Sequence, residues 1–267
     1  MTEQSAITVR GISVRFGGVQ ALSDVNVEVA AKTIHAVIGP NGAGKTTLLN
    51  VCSGIQRPNH GRIVVGGRDV TGARASEVAR AGLARTFQNL QLFRDASVFD
   101  NVMVGAEAQF GLGILRAVIA SRRAKAITAA ARARAAECIE LVGLSPRAQD
   151  LAGALPYGNQ RLLEIARALA TSPSVLLLDE PGAGFNPSEK EQLADIIGAI
   201  RNSGVAVVLV EHDMTLVMSV ADRITVLNFG TKIAEGTSAE VSSDPAVIDA
   251  YLGEDDDEDE LVSAGGE

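Results

Sequence analysis

Residues 39–47 have the types and the spacing needed to bind phosphate, and they lie between two apolar runs, 34–38 and 48–51. The nine residues are Gly39, Pro40, Asn41, Gly42, Ala43, Gly44, Lys45, Thr46 and Thr47. Because glycine lacks a Cβ atom, this spacing lets successive backbone N–H groups converge on phosphate oxygens. Lys45 would then reach the β- and γ-phosphates, and the Thr46 hydroxyl would ligate Mg²⁺. An ordinary glycine-rich turn is the competing interpretation, since the chain has 27 glycines.

Two adjacent carboxylates follow a second apolar run. Residues 175–178 read Val-Leu-Leu-Leu and continue into Asp179 and Glu180. Ligand sites of α/β sheets form where parallel strands end, so this position suits chemistry. Beside a phosphate loop, the pair is typical of an aspartate linked to Mg²⁺ and a glutamate that activates water. A helix N-cap or a simple turn is the alternative interpretation.

One histidine of the three stands out by its position. His212 follows the apolar run 205–210, so it ends a predicted strand as the carboxylate pair does, and the same sheet edge would bring it to the phosphates. His35 lies inside a predicted strand and His60 in a predicted turn. We interpret these two as structural or incidental.

Short strands are predicted around the phosphate loop. Segments 6–10, 12–16, 25–29 and 62–65 alternate or nearly alternate, which predicts a small antiparallel sheet beside the nucleotide core. Phe16 ends one of these segments before two glycines. An exposed aromatic ring there would stack on a flat base, and a core phenylalanine is the alternative.

Residues 97–144 are rich in Ala, Leu and Arg and have no strand pattern, which predicts a large helical insertion. Within it, the apolar segment 111–120 suits either a docking surface or a helix that covers its own subdomain.

Composition limits the class of protein. With 267 residues and 46% hydrophobic content, the chain can form one large α/β domain or two small ones. Seven of its eight net negative charges lie in the acidic run 254–260, so the rest is close to neutral, which argues against nucleic acid as a partner. Cys52 and Cys138 lie in predicted helices, as buried thiols do in a reducing compartment. Neither a secretory signal nor a membrane-spanning run is evident, so we expect a cytoplasmic protein.

With these motifs in this order, residues 6–253 resemble the nucleotide-binding subunit of an ATP-binding cassette (ABC) transporter. The resemblance assigns residues 39–46 to the Walker A loop, Gln88 to the Q-loop, 175–179 to Walker B, 184–187 to the D-loop and His212 to the H-loop. It makes Phe16 the aromatic residue of the A-loop. The signature region comprises Leu155, Pro156, Tyr157, Gly158, Asn159 and Gln160.

The resemblance implies a fold, cofactors and roles. The fold is α/β, a P-loop NTPase core with a RecA-like, mainly parallel sheet, a small antiparallel β subdomain and a helical subdomain at about 89–160. Residues 1–253 would be one domain, and 254–267 a disordered acidic tail. The cofactors are ATP and Mg²⁺. Lys45, Glu180 and His212 would be catalytic, and Thr46, Gln88 and Asp179 would position the metal.

Within the family, five segments resemble the ATP-binding proteins of high-affinity branched-chain amino acid importers: 85–88, 92–94, 157–158, 184–187 and 247–253. The ATPase of lipopolysaccharide export is a competitor, although its signature is nearer Leu-Ser-Gly-Gly. A non-transport ABC protein acting on nucleic acid, and a regulatory subunit that hydrolyses nothing, are further alternatives. The importer resemblance implies a cytoplasmic location on the membrane, two integral permease subunits and an extracytoplasmic substrate-binding protein.

Two residues depart from the family pattern. Pro156 replaces the usual signature serine and Asn159 the usual glutamine. In this family two cassettes pair head to tail, so each signature completes the other chain's ATP site. Proline offers neither a hydroxyl nor a backbone N–H to phosphate. We therefore expect a heterodimer with a second ABC subunit that donates a complete signature.

Overall fold

Two β-sheets of different character are present in the computed structural model, which describes residues 5–88, 90–109 and 122–251. The strands, in chain order, are β1 (Ser5–Phe16), β2 (Val19–Ala30), β3 (Ile34–Ile38), β4 (His60–Val65), β5 (Arg68–Asp69), β6 (Leu83–Arg85), β7 (Val175–Asp179), β8 (Ala206–Val210), β9 (Arg223–Asn228) and β10 (Thr231–Gly236). The helices are α1 (Lys45–Cys52), α2 (Ala75–Arg80), α3 (Val98–Gln109), α4 (Arg122–Leu141), α5 (Tyr157–Ala170), α6 (Pro187–Asn202), α7 (Met214–Val220) and α8 (Ser238–Ser242).

The larger sheet is mainly parallel. Its order is β10-β9-β3-β8-β7-β6, with β9, β3, β8, β7 and β6 parallel and β10 antiparallel to β9. Every residue of β3, β7 and β8 is buried. Continuous apolar runs are expected where helices cover both faces of a parallel sheet. The RecA-like core predicted by the resemblance is therefore confirmed.

The smaller sheet is antiparallel and has the order β2-β1-β4-β5. The two strands predicted at 6–10 and 12–16 form one strand, β1, with a register shift between Val9 and Ile12. Gly11 lies within that shift with φ 62°, a conformation that glycine adopts without steric cost. The chain bends there without leaving the sheet.

The helical insertion predicted at 97–144 is present as α3 and α4, which pack against each other and against α5. Their buried residues join those of α6, β7 and β8 in one hydrophobic cluster, so these helices are attached to the sheet by a shared core. Cys52 and Cys138 are buried in helices, as predicted. The apolar segment 111–120 and the acidic tail 254–267 lie outside the described residues. Within the described chain, every helix is too short or too polar to cross a membrane.

Candidate functional site

Four strand ends meet at one edge of the larger sheet. β3, β8, β7 and β6 are successive parallel neighbours, so their carboxyl ends point the same way. The phosphate loop follows β3, His212 follows β8, Asp179 and Glu180 end β7, and Gln88 follows β6. Segments far apart in sequence are therefore gathered where α/β sheets bind ligands.

The phosphate loop joins β3 to α1 and depends on its glycines. A Cβ atom on Gly39 would lie 2.0 Å from the carbonyl oxygen of Leu227, and one on Gly44 would lie 2.7 Å from Leu22 Cδ2. Gly44 is also the N-cap of α1, with φ 100° and no side-chain cap, so the first amides of the helix keep their donors for a ligand. The backbone therefore forms the anion-binding cradle that the spacing predicts.

Lys45 lies within this cradle. Its Nζ atom donates to the carbonyl oxygen of Pro40 at 2.8 Å and also to that of Gly39. The amine is thus folded back along the loop, close to the backbone groups that would surround phosphate. This geometry fits a cation that neutralises phosphate charge.

A pocket of about 370 Å³ opens above the loop. It is lined by residues 41–47 of the loop, by residues 19–21 of β2, by Glu180 and by Phe229. Thr46 and Glu180 therefore share one pocket, although they come from different strand ends. The combination of a lysine, helix-end amides and a carboxylate fits a polyphosphate whose outermost group meets the acid.

Gln88 reaches the same carboxylate. Its Nε2 atom donates to Glu180 Oε2 at 3.1 Å, which joins the predicted Q-loop to the end of β7. Asp179 is buried, is only 5% exposed and does not line the pocket. Mg²⁺ prefers oxygen ligands, and these are offered by the hydroxyl of Thr46, the amide of Gln88 and the carboxylate of Asp179. The residues predicted to position the metal therefore fit it chemically.

Sequence reasoning missed Arg85, which holds Asp179 in place. Arg85 Nη2 lies 2.9 Å from Asp179 Oδ2, while Nη1 donates to Asn50 Oδ1 at 2.8 Å and Ser53 Oγ at 3.0 Å. The guanidinium therefore connects β6, β7 and α1. A charged side chain ending a strand that is otherwise apolar was the available signal, because a buried cation requires a partner.

The backbone at Glu180 is unusual. Its φ is 47°, in the left-handed region that residues other than glycine rarely adopt, and its N–H donates to the carbonyl of Val210 at 2.9 Å. Backbone strain of this kind is concentrated at functional sites, where surrounding contacts maintain it. The outlier supports the predicted role of this glutamate.

Glu211 is a second residue that sequence reasoning missed. Its side chain is 1% exposed; Oε1 accepts from Gly182 N at 2.8 Å and Oε2 from His212 N at 3.1 Å. The His212 ring itself is 67% exposed, with Nδ1 3.9 Å from Glu211 Oε2, and it does not line the phosphate pocket. Glu211 therefore links the loop after Glu180 to the loop that carries His212.

The signature residues surround the start of α5, with Pro156 at the N-cap and no side-chain cap. The Tyr157 hydroxyl accepts from Arg161 Nε at 3.0 Å, and Arg161 Nη1 donates to the Phe87 carbonyl at 3.0 Å. The signature is thus connected to the residue before Gln88. The six signature residues, Leu155 to Gln160, are absent from the lining of the described phosphate pocket.

Phe16, the predicted base-stacking residue, ends β1 and is 48% exposed. The core interpretation is therefore wrong. Phe16 pairs with Val19 across the hairpin, and Val19 rather than Phe16 lines the pocket. Phe229, in the turn between β9 and β10, also lines it and was missed, because the sequence Asn-Phe-Gly-Thr indicates only a turn.

Comparison with known proteins identifies the family of this chain. The model of the ABC transporter family matches residues 22–183, and the model of the branched-chain amino acid ATP-binding cassette transporter family matches residues 231–257. The high-affinity branched-chain amino acid transport ATP-binding protein LivG of Salmonella typhimurium is 42% identical over 252 residues, covering 94% of this chain and 99% of that protein. BraF of Pseudomonas aeruginosa, which has the same descriptive name, is 41% identical over 93% of this chain and 98% of its own length.

Solved structures show the same architecture. The ADP conformation of an ATP-binding cassette from an ABC transporter superimposes with a TM-score of 0.80 at 29% identity, covering 94% of this chain and 99% of that one. A nucleotide-free cassette gives 0.79 at 28% identity, covering 93% and 99%. The resemblance seen in the motifs is confirmed, and the chain belongs to the ATP-hydrolysing, ATP-binding subunits of the ABC transporter family.

Proposed function

We propose that this chain hydrolyses MgATP to energise the import of branched-chain amino acids by a multi-subunit membrane transporter. The observation that carries the hydrolytic part is the convergence of the phosphate loop, Glu180 and Gln88 at one sheet edge. The substrate class is supported by 41–42% identity to LivG and BraF over almost the whole chain, and by the family match at residues 231–257.

Each residue has a role that follows from its place. Lys45 and the α1 amides would bind the phosphates, and Thr46, Gln88 and Asp179 would hold Mg²⁺, which when bound neutralises phosphate charge. Glu180 accepts the proton of the attacking water, and its hydrogen bond from Gln88 orients the carboxylate for this task. His212, on the adjoining loop, contacts the γ-phosphate when the loops close over the nucleotide.

An apolar groove is the proposed docking site for a permease subunit. This groove, about 430 Å³, lies between the β6 edge and helices α3 and α5, and it begins beside Gln88. Four large apolar side chains in its lining are exposed by 39–55%, namely Ile55, Phe87, Phe93 and Val104. Burial raises the pKa of Glu164 in its wall, and the guanidinium of Arg167 lies nearby as a counter-charge. An exposed apolar patch with a few charged groups is typical of a protein interface.

The proposed assembly has three further kinds of component. A second ABC subunit supplies a signature to the phosphate pocket of this chain, two integral permease subunits bind at the groove, and an extracytoplasmic protein delivers the amino acid. In this assembly the chain would lie on the cytoplasmic face of the membrane. Because the signature residues of this chain do not line its described phosphate pocket, a signature supplied by a second cassette fits the proposed pairing.

Uptake by living cells tests this proposal. A strain lacking the gene should lose high-affinity uptake of labelled leucine, isoleucine and valine. The parental gene should restore uptake, whereas Glu180→Gln at equal protein level should not. Unchanged uptake of all three amino acids in the deletion strain, or full restoration by Glu180→Gln, would contradict the proposal. A defect confined to lipopolysaccharide export would instead favour the competing ATPase.

A further inference from the structure

Phe229 is the most exposed large hydrophobic residue in the described part of the chain, at 86%. It nevertheless lines the phosphate pocket, together with the loop residues and Val19. Exposing a phenylalanine ring to water gives up the free energy that burial would provide. The ring therefore lies unburied at the rim of a binding site.

The backbone at this position also disfavours phenylalanine. Phe229 and Gly230 form the two-residue turn between Asn228 and Thr231, with φ of 43° and 75°. Two consecutive positive φ values are characteristic of a type I′ turn, for which Asn-Gly is strongly preferred. A bulky side chain at positive φ is an outlier. Neither burial nor turn conformation thus favours phenylalanine at this position.

The turn is fastened to the nucleotide-binding elements. Gly230 N donates to the carbonyl of Ala43 in the phosphate loop at 3.1 Å, and Ser23 N in β2 donates to the carbonyl of Gly230 at 2.8 Å. A Cβ atom on Gly230 would lie 2.6 Å from the carbonyl oxygen of Ala21, so the turn packs tightly against β2. These contacts hold the backbone of the turn, and with it the Cα atom of Phe229, beside the phosphate loop.

We propose that Phe229 forms an aromatic wall for the base of the bound adenine nucleotide, in addition to Phe16; this rests on the proposed ATP binding. Phe16 lies at the end of β1, beside Val19, whereas Phe229 comes from the β9–β10 turn. Every base has a flat face on which an aromatic ring can stack, so Phe229 would add to nucleotide affinity through the base and not through the phosphates.

The test compares two ligands of the full-length chain, MgADP and magnesium pyrophosphate, which share the diphosphate but differ in the base. Phe229→Asn should weaken ADP binding about fivefold or more and leave pyrophosphate binding unchanged. It should also raise the midpoint of urea unfolding, because asparagine suits positive φ. Phe229→Tyr should retain ADP affinity. The matched control is Ile248→Asn, since Ile248 is exposed but lies outside the pocket.

Opposite signs for stability and affinity are the decisive result. If Phe229→Asn were more stable but bound ADP as tightly as the parent, the proposal would be overturned, and Phe229 would have no role in binding beyond its place in the turn. Unchanged ADP affinity with impaired ATP-dependent pairing of two cassettes would overturn it in favour of a subunit contact. If the parental chain bound neither ligand, the proposed function itself would fail, which is a distinct outcome.

Discussion

Arg85 and Asp179 form a buried ion pair, with 2.9 Å between Nη2 and Oδ2 and side-chain exposures of only 5% and 7%. Removing one partner of such a pair leaves an unpaired buried charge, and this costs more than the pair itself contributes. Arg85 also donates to Asn50 of α1 and to Ser53, the C-cap residue of that helix. The predicted metal-binding aspartate is therefore fixed by the same cation that anchors the helix of the phosphate loop.

Arg85→Met should lower the free energy of unfolding by about 3 kcal/mol, because it leaves Asp179 buried without its counter-charge. Urea denaturation measures this. The matched control is Arg62→Met, which breaks an ion pair with Asp69 whose side chains are 65% and 45% exposed, and it should cost less than about 1 kcal/mol. Similar losses in both variants would show that Arg85 does not act through a buried charge.

Glu180→Gln should bind ATP as tightly as the parent and lose most of its turnover, since the amide cannot accept the proton of water. Lys45→Ala should instead weaken ATP binding itself. Affinity and steady-state hydrolysis are measured side by side on each variant. Parental turnover in Glu180→Gln would remove this residue from the role of base.

Pro156→Ser should raise the turnover of the isolated chain. A serine there restores a hydroxyl donor to the signature, and a charge-assisted contact of this kind contributes about 1.5–3 kcal/mol. It also gives α5 the side-chain cap that it lacks, which should stabilise the fold by about 1 kcal/mol. The parent alone is expected to be a weak, monomeric ATPase, so turnover is compared over a range of protein concentrations. Vigorous, concentration-dependent hydrolysis by the parent would refute the idea of an asymmetric pair.

Acid should destabilise the chain through His35. Burial is the largest effect that lowers the pKa of His35 from 6.5 to about 4. The positive charges of Arg223 and Lys232 lower this pKa further, whereas the negative charge of Glu235 opposes the shift. Between these pH values the unfolded chain binds a proton that the folded chain does not, so stability falls as pH falls from 6.5 towards 4. From pH 7 to pH 5 the loss attributable to this group is about 2 kcal/mol.

The measurement is the free energy of unfolding against pH. His35→Gln should have the flatter profile over this window, whereas His60→Gln, which alters an exposed histidine of β4, should follow the parent. Equal slopes for His35→Gln and the parent would exclude His35 as the source.

The parallel core could be predicted because its central strands are short, mainly apolar runs. β3, β7 and β8 are of this kind, and all their residues are buried. The bend at Gly11 could not be predicted, because a glycine between two alternating segments is equally consistent with a turn or a register shift. Boundaries within the antiparallel sheet depend on pairing partners that periodicity does not reveal.

The sheet edge that carries Asp179, Glu180 and His212 could be predicted, because each lies at or just after the end of a buried apolar strand; of the three, only Glu180 lines the phosphate pocket. Arg85 and Glu211 were missed because their roles depend on partners distant in sequence, such as Asn50 and Gly182. A buried charged residue shows its function only when the group that it binds is known. The assigned catalytic and metal-binding roles themselves remain predictions for the experiments above.

Glu211 connects two loops at the edge of the larger sheet. Its two carboxylate oxygens accept hydrogen bonds from the backbone amides of Gly182 and His212. One buried side chain therefore connects the loop after Glu180 to the loop that carries His212. Moving either loop away from Glu211 would stretch one of these buried hydrogen bonds. We therefore expect the two loops to move together when the γ-phosphate binds. In Glu211→Ala, amide hydrogen exchange at the two loops should respond separately to ATP. If both loops still responded together, Glu211 would not be what couples them. With the roles proposed for Glu180 and His212, this link would couple contact with the γ-phosphate to the positioning of water.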